Sequence, residues 1–254
     1  MPRIPLIDDD IQYAWSRDGF VSLGIVLDTI EVIDTRACLD ELGTRHPPTN
    51  HGVIINNVWK QHRDLAALVT AEAMWRSAAT LLGKNRVRLF QDNLVWKHPG
   101  SARIEWHQDY SYQPLDSPNG LTLWLCLDHS SPRSGCLHYI PGTHKLGERV
   151  ATDFFAGTGQ PMRKDLPPLD WRSRLGEVKP MAAQPGELLA HHPFVWHMSP
   201  VNDSTRHRRA ISVNWVSEQV RWNPSQAPHP FNYELGLADG DPIDDRDFPV
   251  FSVG

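Results

Sequence analysis

Hydrophobic positions give the chain two textures, with a change near residue 85. Asp8 to Arg17 reads as a short helix that stops at Asp18-Gly19, and Phe20-Val21-Ser22-Leu23 follows with strand character. A second helical pattern runs from Ile30 to Leu42, with Val32, Cys38, Leu39 and Leu42 on one side. A third spans Arg63 to Leu82. Its apolar side comprises Leu65, Leu68, Val69, Ala73, Trp75, Ala79 and Leu82, and Gly83 is placed to end it.

From Arg86 onward short apolar runs are separated by Pro and Gly turns, at His98-Pro-Gly, Ser117-Pro-Asn-Gly, Ser134-Gly, Pro141-Gly and Pro185-Gly. Repeated strand and turn signals of this kind predict a β-sandwich or barrel. The 254 residues fit one domain. Its expected parts are a helical buttress over 1–85, a jelly-roll core over 86–217 and a C-terminal extension over 218–254. Within the core, 143–184 is poorer in pattern and reads as a lid-like insertion.

Two runs alternate with period two, so one face of each is predicted to look into the barrel. In the run from Arg208, the residues Arg208, Ala210, Ser212 and Asn214 share a small and polar face, while Arg209, Ile211, Val213 and Trp215 share the other. In the earlier run, Leu121, Leu123, Leu125 and Leu127 oppose Thr122, Trp124, Cys126 and Asp128. Trp124 is then either core filling or a ligand contact. Cys126 reads as a small buried side chain.

Charge and composition narrow the partners. Twenty-five basic against 30 acidic residues give a net charge of −5, with no dense Lys/Arg stripe for nucleic acid, so a small molecule is the expected partner. Cys38, Cys126 and Cys136 are odd in number and lack Cys-x-x-Cys spacing, which suggests neither a disulfide framework nor a structural zinc site. The acidic start is no signal peptide and no run approaches a membrane span, so a cytoplasmic protein without membrane contact is expected. No signal specifies an oligomeric state.

Candidate chemistry lies at His107-Gln-Asp109, with His197 ninety residues on and Arg208 eleven beyond that. His107 and Asp109 share a side across an extended Gln108. With His197, expected near the end of a strand, they make two imidazoles and one carboxylate, the donor set of Fe(II) sites that keep three positions open. Arg208 enters the polar interior by parity, and its planar fork suits a carboxylate co-substrate. Arg206 shares that parity and reads as a solvated turn charge. His191 and His192 point to opposite sides of a strand, so both cannot face a metal. They read as ordinary polar side chains, as do His129, His138, His144 and His207.

The chain resembles the phytanoyl-CoA dioxygenase family of Fe(II)/2-oxoglutarate-dependent oxygenases. The resemblance rests on Asp18-Gly-Phe-Val, Trp106-His-Gln-Asp-Tyr, Ser134-Gly-Cys-Leu-His-Tyr-Ile-Pro-Gly-Thr-His-Lys, Pro185-Gly-Glu, and His197 with Arg208. It implies a mainly β, double-stranded β-helix (cupin-like jelly roll) buttressed by N-terminal helices. It also implies that His107, Asp109 and His197 bind Fe(II), that Arg208 pairs with the far carboxylate of 2-oxoglutarate, and that Ser199 helps hold that end. Trp124, Gln91 and Asn93 match positions beside the co-substrate.

The implied chemistry consumes O2 and 2-oxoglutarate, releases succinate and CO2, and hydroxylates an unactivated C–H bond of a small organic molecule, with a specialised metabolite among the candidates. Desaturation, epimerisation and cyclisation use the same cofactors. Halogenating relatives have a small residue in place of the carboxylate ligand, so Asp109 favours hydroxylation-type chemistry. A metal-binding jelly roll without catalysis and a Zn(II) hydrolase on the same three ligands are the competing classes.

Overall fold

The computed structural model describes residues 1–149, 166–167 and 172–253. Helix α1 (Asp9–Asp18) begins where the Asp8 carboxylate accepts from the Ile11 N–H, and ends at Gly19, whose φ of 82° is open to glycine at little cost. Strand β1 (Phe20–Ile25) leads to α2 (Thr29–Gly43), which opens with a capping box between Asp28 and Glu31. Then come β2 (Val53–Asn56), α3 (Arg63–Val69), α4 (Glu72–Leu82), β3 (Arg86–Lys97), β4 (Ile104–His107), β5 (Gly120–Cys126) and β6 (Leu137–Tyr139). The chain continues through β7 (Lys179–Met181), β8 (Glu187–His191), β9 (His197–Ser199), β10 (Arg208–Ser217), α5 (Phe231–Glu234) and β11 (Val250–Ser252).

The strands form two antiparallel sheets. The larger has the order β1-β8-β5-β10-β3-β11, with β2 also on β3, and the smaller has the order β4-β9-β6-β7. The main core lies between the larger sheet and α2, α3 and α4. There Leu121, Leu123, Leu125, Ile211, Val213 and Trp215 meet Leu39, Leu65, Met74 and Leu81. A smaller core with Phe20, Val95, Trp124, Leu137, Tyr139, Leu189 and Ala210 fills the space between the sheets. The predicted alternation on β10 and β5 therefore separates a helix-covered face from an inter-sheet face. The fold is the expected jelly roll with N-terminal helices.

Several expectations are corrected. The third helix is two, because Thr70 closes α3, its hydroxyl and its N–H both bonding the Ala66 carbonyl, and Ala71 is extended at ψ 149°. That break resets the helical phase. Met74 and Leu81 are buried in α4, whereas Trp75 and Leu82 are only partly so. Strands β1 and β2 lie within the expected helical buttress, and β11 within the C-terminal extension, yet all three belong to the larger sheet. Asp128 lies beyond the end of β5 and turns outward, to Arg36 of α2 and to Arg209. The ends of the 143–184 insertion form 3-10 turns (Thr143–Leu146, Arg172–Glu177) and β7, while 150–165 and 168–171 lie outside the described residues. Among the described residues no helix is long and apolar enough to cross a membrane, and all three cysteines are free.

Candidate functional site

His107 ends β4, Gln108 is extended at φ −117°, and Asp109 begins a 3-10 turn rather than continuing the strand. The extended Gln108 suffices to put its neighbours on one side. Its own amide points away and is fully engaged, donating to the carbonyls of Gly147 and Phe194 and accepting from the Arg149 N–H. His197 opens β9, at the start of a strand and not near its end, and is the cross-strand partner of His107. One ladder contact thus joins residues ninety positions apart.

Asp109 Oδ1 lies 3.7 Å from His107 Nε2 and 3.4 Å from His197 Nε2, and the three donor atoms fall within 4.8 Å of one another. One ion can bridge such separations. The tautomers are fixed by the backbone: His107 Nδ1 faces the Glu105 carbonyl at 2.7 Å and His197 Nδ1 the Val195 carbonyl at 3.0 Å. A carbonyl only accepts, so each Nδ1 carries the proton and each Nε2 lone pair faces the cluster. Burial, with His197 nearby, pushes His107 down to about 3, so it is neutral at physiological pH. Burial would raise Asp109, yet His197 and His191 hold it well below the usual carboxylate range. The His107 imidazole and the Asp109 carboxylate are therefore ready for a divalent cation without losing protons. Cys38, His62 and Asp64 form a second grouping, but His62 Nδ1 is occupied as the cap of α3, accepting from the Asp64 N–H.

Arg208 has only 1% of its surface exposed, and among the described residues its Nε and Nη1 have no hydrogen-bond partner. Nη2 donates to Ser199 Oγ at 3.1 Å, and the guanidinium lies over the Trp124 ring at 5.2 Å. Burial lowers its pKa to about 10, so it remains a cation at neutral pH. Arg209 takes the outer face, bonded to Asp128 and Asp40, and Arg206 is exposed. Parity selected the buried arginine correctly. Ser199 donates to the Gly135 carbonyl while accepting from Arg208 and from Lys97 Nζ.

A cavity of about 500 Å³ opens over the cluster, walled by Trp124, Ser199, Gln91, Asn93, Tyr112 and His229 among others. Gln91 accepts from His229 Nε2 at 3.1 Å and donates to Asn93 Oδ1 at 2.8 Å. Sequence reasoning missed two residues here. Lys97, wholly buried beside Arg208 and pushed down to about 7 by burial, gives its ammonium to Ser199 and the Pro200 carbonyl. His191, read from the sequence as an ordinary polar group, contacts Asp109 Oδ2 at 2.9 Å. The signal for His191 was present: Leu189 faces the inter-sheet core and Leu188 and Ala190 the helices, so parity turns His191 inward.

A family model for phytanoyl-CoA dioxygenase (PhyH) matches residues 14–210. A 2-aminoethylphosphonate dioxygenase from an uncultured bacterium is 28% identical over 167 residues, covering 65% of this chain and 59% of its own length. A phytanoyl-CoA dioxygenase from Arabidopsis thaliana is 30% identical over 155 residues, covering 60% of this chain and 53% of its own. The chain thus spans a little over half the length of these curated relatives. Among solved structures, the non-haem α-ketoglutarate-dependent carbocyclase SnoK of nogalamycin biosynthesis superposes with a TM-score of 0.81 at 22% identity, covering 96% of each chain. The epimerase SnoN, in complex with Fe3+, α-ketoglutarate and nogalamycin RO, gives 0.79 at 21% identity, covering 95% of this chain and 97% of its own. With more than half of its length matched by the family model, this chain belongs to the phytanoyl-CoA dioxygenase family.

Proposed function

We propose that this chain is an Fe(II)- and 2-oxoglutarate-dependent oxygenase acting on an unactivated C–H bond of a small organic molecule. One observation carries the reading: a two-imidazole, one-carboxylate cluster opens on a cavity walled in part by Ser199 and Trp124, and the buried, incompletely bonded Arg208 guanidinium lies directly against those two side chains. A buried charge without a counter-charge is costly, and an anionic co-substrate would relieve it. His107 and His197 hold the metal through Nε2 and Asp109 through Oδ1. Arg208 pairs with the distal carboxylate of 2-oxoglutarate, and Ser199, steadied by Lys97, fixes the plane of its guanidinium. Trp124, Gln91 and Asn93 wall the co-substrate.

When bound, Fe(II) with 2-oxoglutarate supplies the oxidising power: O2 and 2-oxoglutarate yield succinate and CO2, with one oxygen atom passing to the substrate. The protein's own contribution is to orient and to exclude water. Asp109 occupies the ligand position that a halide would need, so hydroxylation-type oxidation is favoured over halogenation. The cavity as a whole presents carboxamides, Asn56, Gln91, Asn93, Gln113 and Asn214, and no Lys or Arg among its described lining residues. Burial holds His229 at about 4, so it too is neutral there. Such a wall suits an uncharged substrate with hydrogen-bonding groups.

The test is anaerobic titration of the metal-free protein with Fe(II) and then 2-oxoglutarate, followed by admission of air and measurement of succinate. The wild type is expected to develop a visible charge-transfer band and to form succinate, and His107→Ala and Asp109→Ala to do neither. A wild type with neither band nor succinate overturns the proposal and leaves a metal-binding jelly roll without catalysis.

A further inference from the structure

The geometry points to His191 as a positioning residue that, with Thr122, decides which oxygen of Asp109 the metal receives. The inference rests on the metal site proposed above and concerns a feature that site leaves open. A carboxylate has two chemically similar oxygens and can bind an ion through one or both. Binding through both would take a second coordination position, although 2-oxoglutarate and O2 together need three open ones.

The two oxygens of Asp109 are made unequal by its surroundings. Oδ1 faces the Nε2 atoms of His107 and His197. Oδ2 receives the Thr122 hydroxyl at 2.6 Å and His191 Nε2 at 2.9 Å. The proton positions follow from the outer partners. Asn214 Nδ2 donates to Thr122 Oγ1 at 2.8 Å, which leaves the threonine proton for Asp109. A carboxylate only accepts, so His191 carries its proton on Nε2, and Nδ1 accepts from the Tyr139 hydroxyl at 3.0 Å. Two donor chains therefore converge on Oδ2 and leave Oδ1 for the cation.

These side chains belong to a single rung of the larger sheet. Asn214 is the cross-strand partner of Thr122, Thr122 of His191, and His191 of Phe20. Phe20 stacks on Tyr139 with ring centroids 4.3 Å apart and planes inclined by 9°, which fixes the phenol that orients His191. The rung runs across β10, β5, β8 and β1, so the rigidity of four hydrogen-bonded strands is transmitted to one carboxylate. Partners that orient metal ligands from outside are typically worth about 10- to 100-fold in metal affinity or activity.

The experiment titrates metal-free protein with Co(II) and follows visible absorption, which reads affinity and ligand geometry without turnover. His191→Phe is expected to bind Co(II) about 10- to 100-fold more weakly and with an altered spectrum. Tyr139→Phe should show a smaller loss, and His191→Gln, which keeps a donor, a partial rescue. Tyr139→Phe should add nothing in the His191→Phe background, because both act through one chain, whereas Thr122→Val should add a further loss. Wild-type affinity and spectrum in folded His191→Phe overturn the assignment. If that variant fails to fold, unchanged Co(II) binding by Tyr139→Phe overturns it instead. A wild-type protein that takes up no Co(II) brings down the metal site itself, and this inference with it.

Discussion

Two adjacent arginines show how one residue of parity separates structure from chemistry. Arg209 makes a buttressing ion pair with Asp128 at 2.9 Å, under α2, while Arg208 is buried between the sheets with two of its three guanidinium nitrogens, Nε and Nη1, unbonded among the described residues. Removing the first would loosen the helix packing. Removing the second is expected to act on the co-substrate. Truncating one partner of a buried charge pair costs about 2–5 kcal/mol, so Arg208→Ala should raise the apparent KM for 2-oxoglutarate by about 30-fold or more. Its Co(II) affinity should stay near that of the wild type. Arg208→Lys should recover only part, because an ammonium cannot reproduce the planar two-point contact. Succinate formation at varied 2-oxoglutarate reads both, and an unchanged KM in Arg208→Ala would reassign the anchor.

At the scale of elements, the site depends on how short strands are tied into long ones. Gly186 starts the turn into β8 with φ 85°; its N–H donates to the Cys126 carbonyl at 2.7 Å and its carbonyl accepts from Val26 and Leu27. A Cβ at that position would run into the Leu27 carbonyl oxygen. Both the backbone conformation and the space require glycine. Gly186→Ala is expected to destabilise the protein by at least about 1–3 kcal/mol, the usual cost of such a strained conformation. Because β8 carries His191, the same variant should weaken Co(II) binding. Urea unfolding of the metal-free protein measures the first effect, and a midpoint equal to wild type would contradict it.

The whole molecule adds a pH dependence through Asp92. It is fully buried on the helix side of β3, accepts from the Trp59 N–H at 3.3 Å, and is raised by burial from 3.8 to about 7. Between those values the folded state keeps a proton that the unfolded chain has released, so raising the pH through this window lowers stability. His192 and His229, both held near 4 by burial, act in the opposite sense between about 4 and 6.5. The informative quantity is therefore the difference between the wild type and Asp92→Asn. The variant should gain stability relative to the wild type as pH rises from 4 to 7, with no further change above. A difference that stays flat from pH 4 to pH 8 would contradict the assignment.

What the sequence determined by itself was local. The alternation from Arg208 to Trp215 assigned each face, the stop at Asp18-Gly19 and the apolar spacing of Val32, Cys38, Leu39 and Leu42 placed α1 and α2, and the extended Gln108 put His107 and Asp109 on one side. Each of these follows from backbone periodicity within a few residues. Where local order ended, the reading slipped, at the break after Thr70, at Asp128 beyond the last ladder pair of β5, and at Asp109, which opens a turn. The tertiary structure alone decided which strands became neighbours. Pairing of β4 with β9 sets His107 opposite His197, and β1, β2 and β11 are recruited to the larger sheet from outside its expected range. The row of Phe20, His191, Thr122 and Asn214 exists only through the register of four strands. A strand's own alternation fixes which face a side chain occupies, but register is set by contacts between distant segments, so the surroundings of Asp109 had to come from the folded chain.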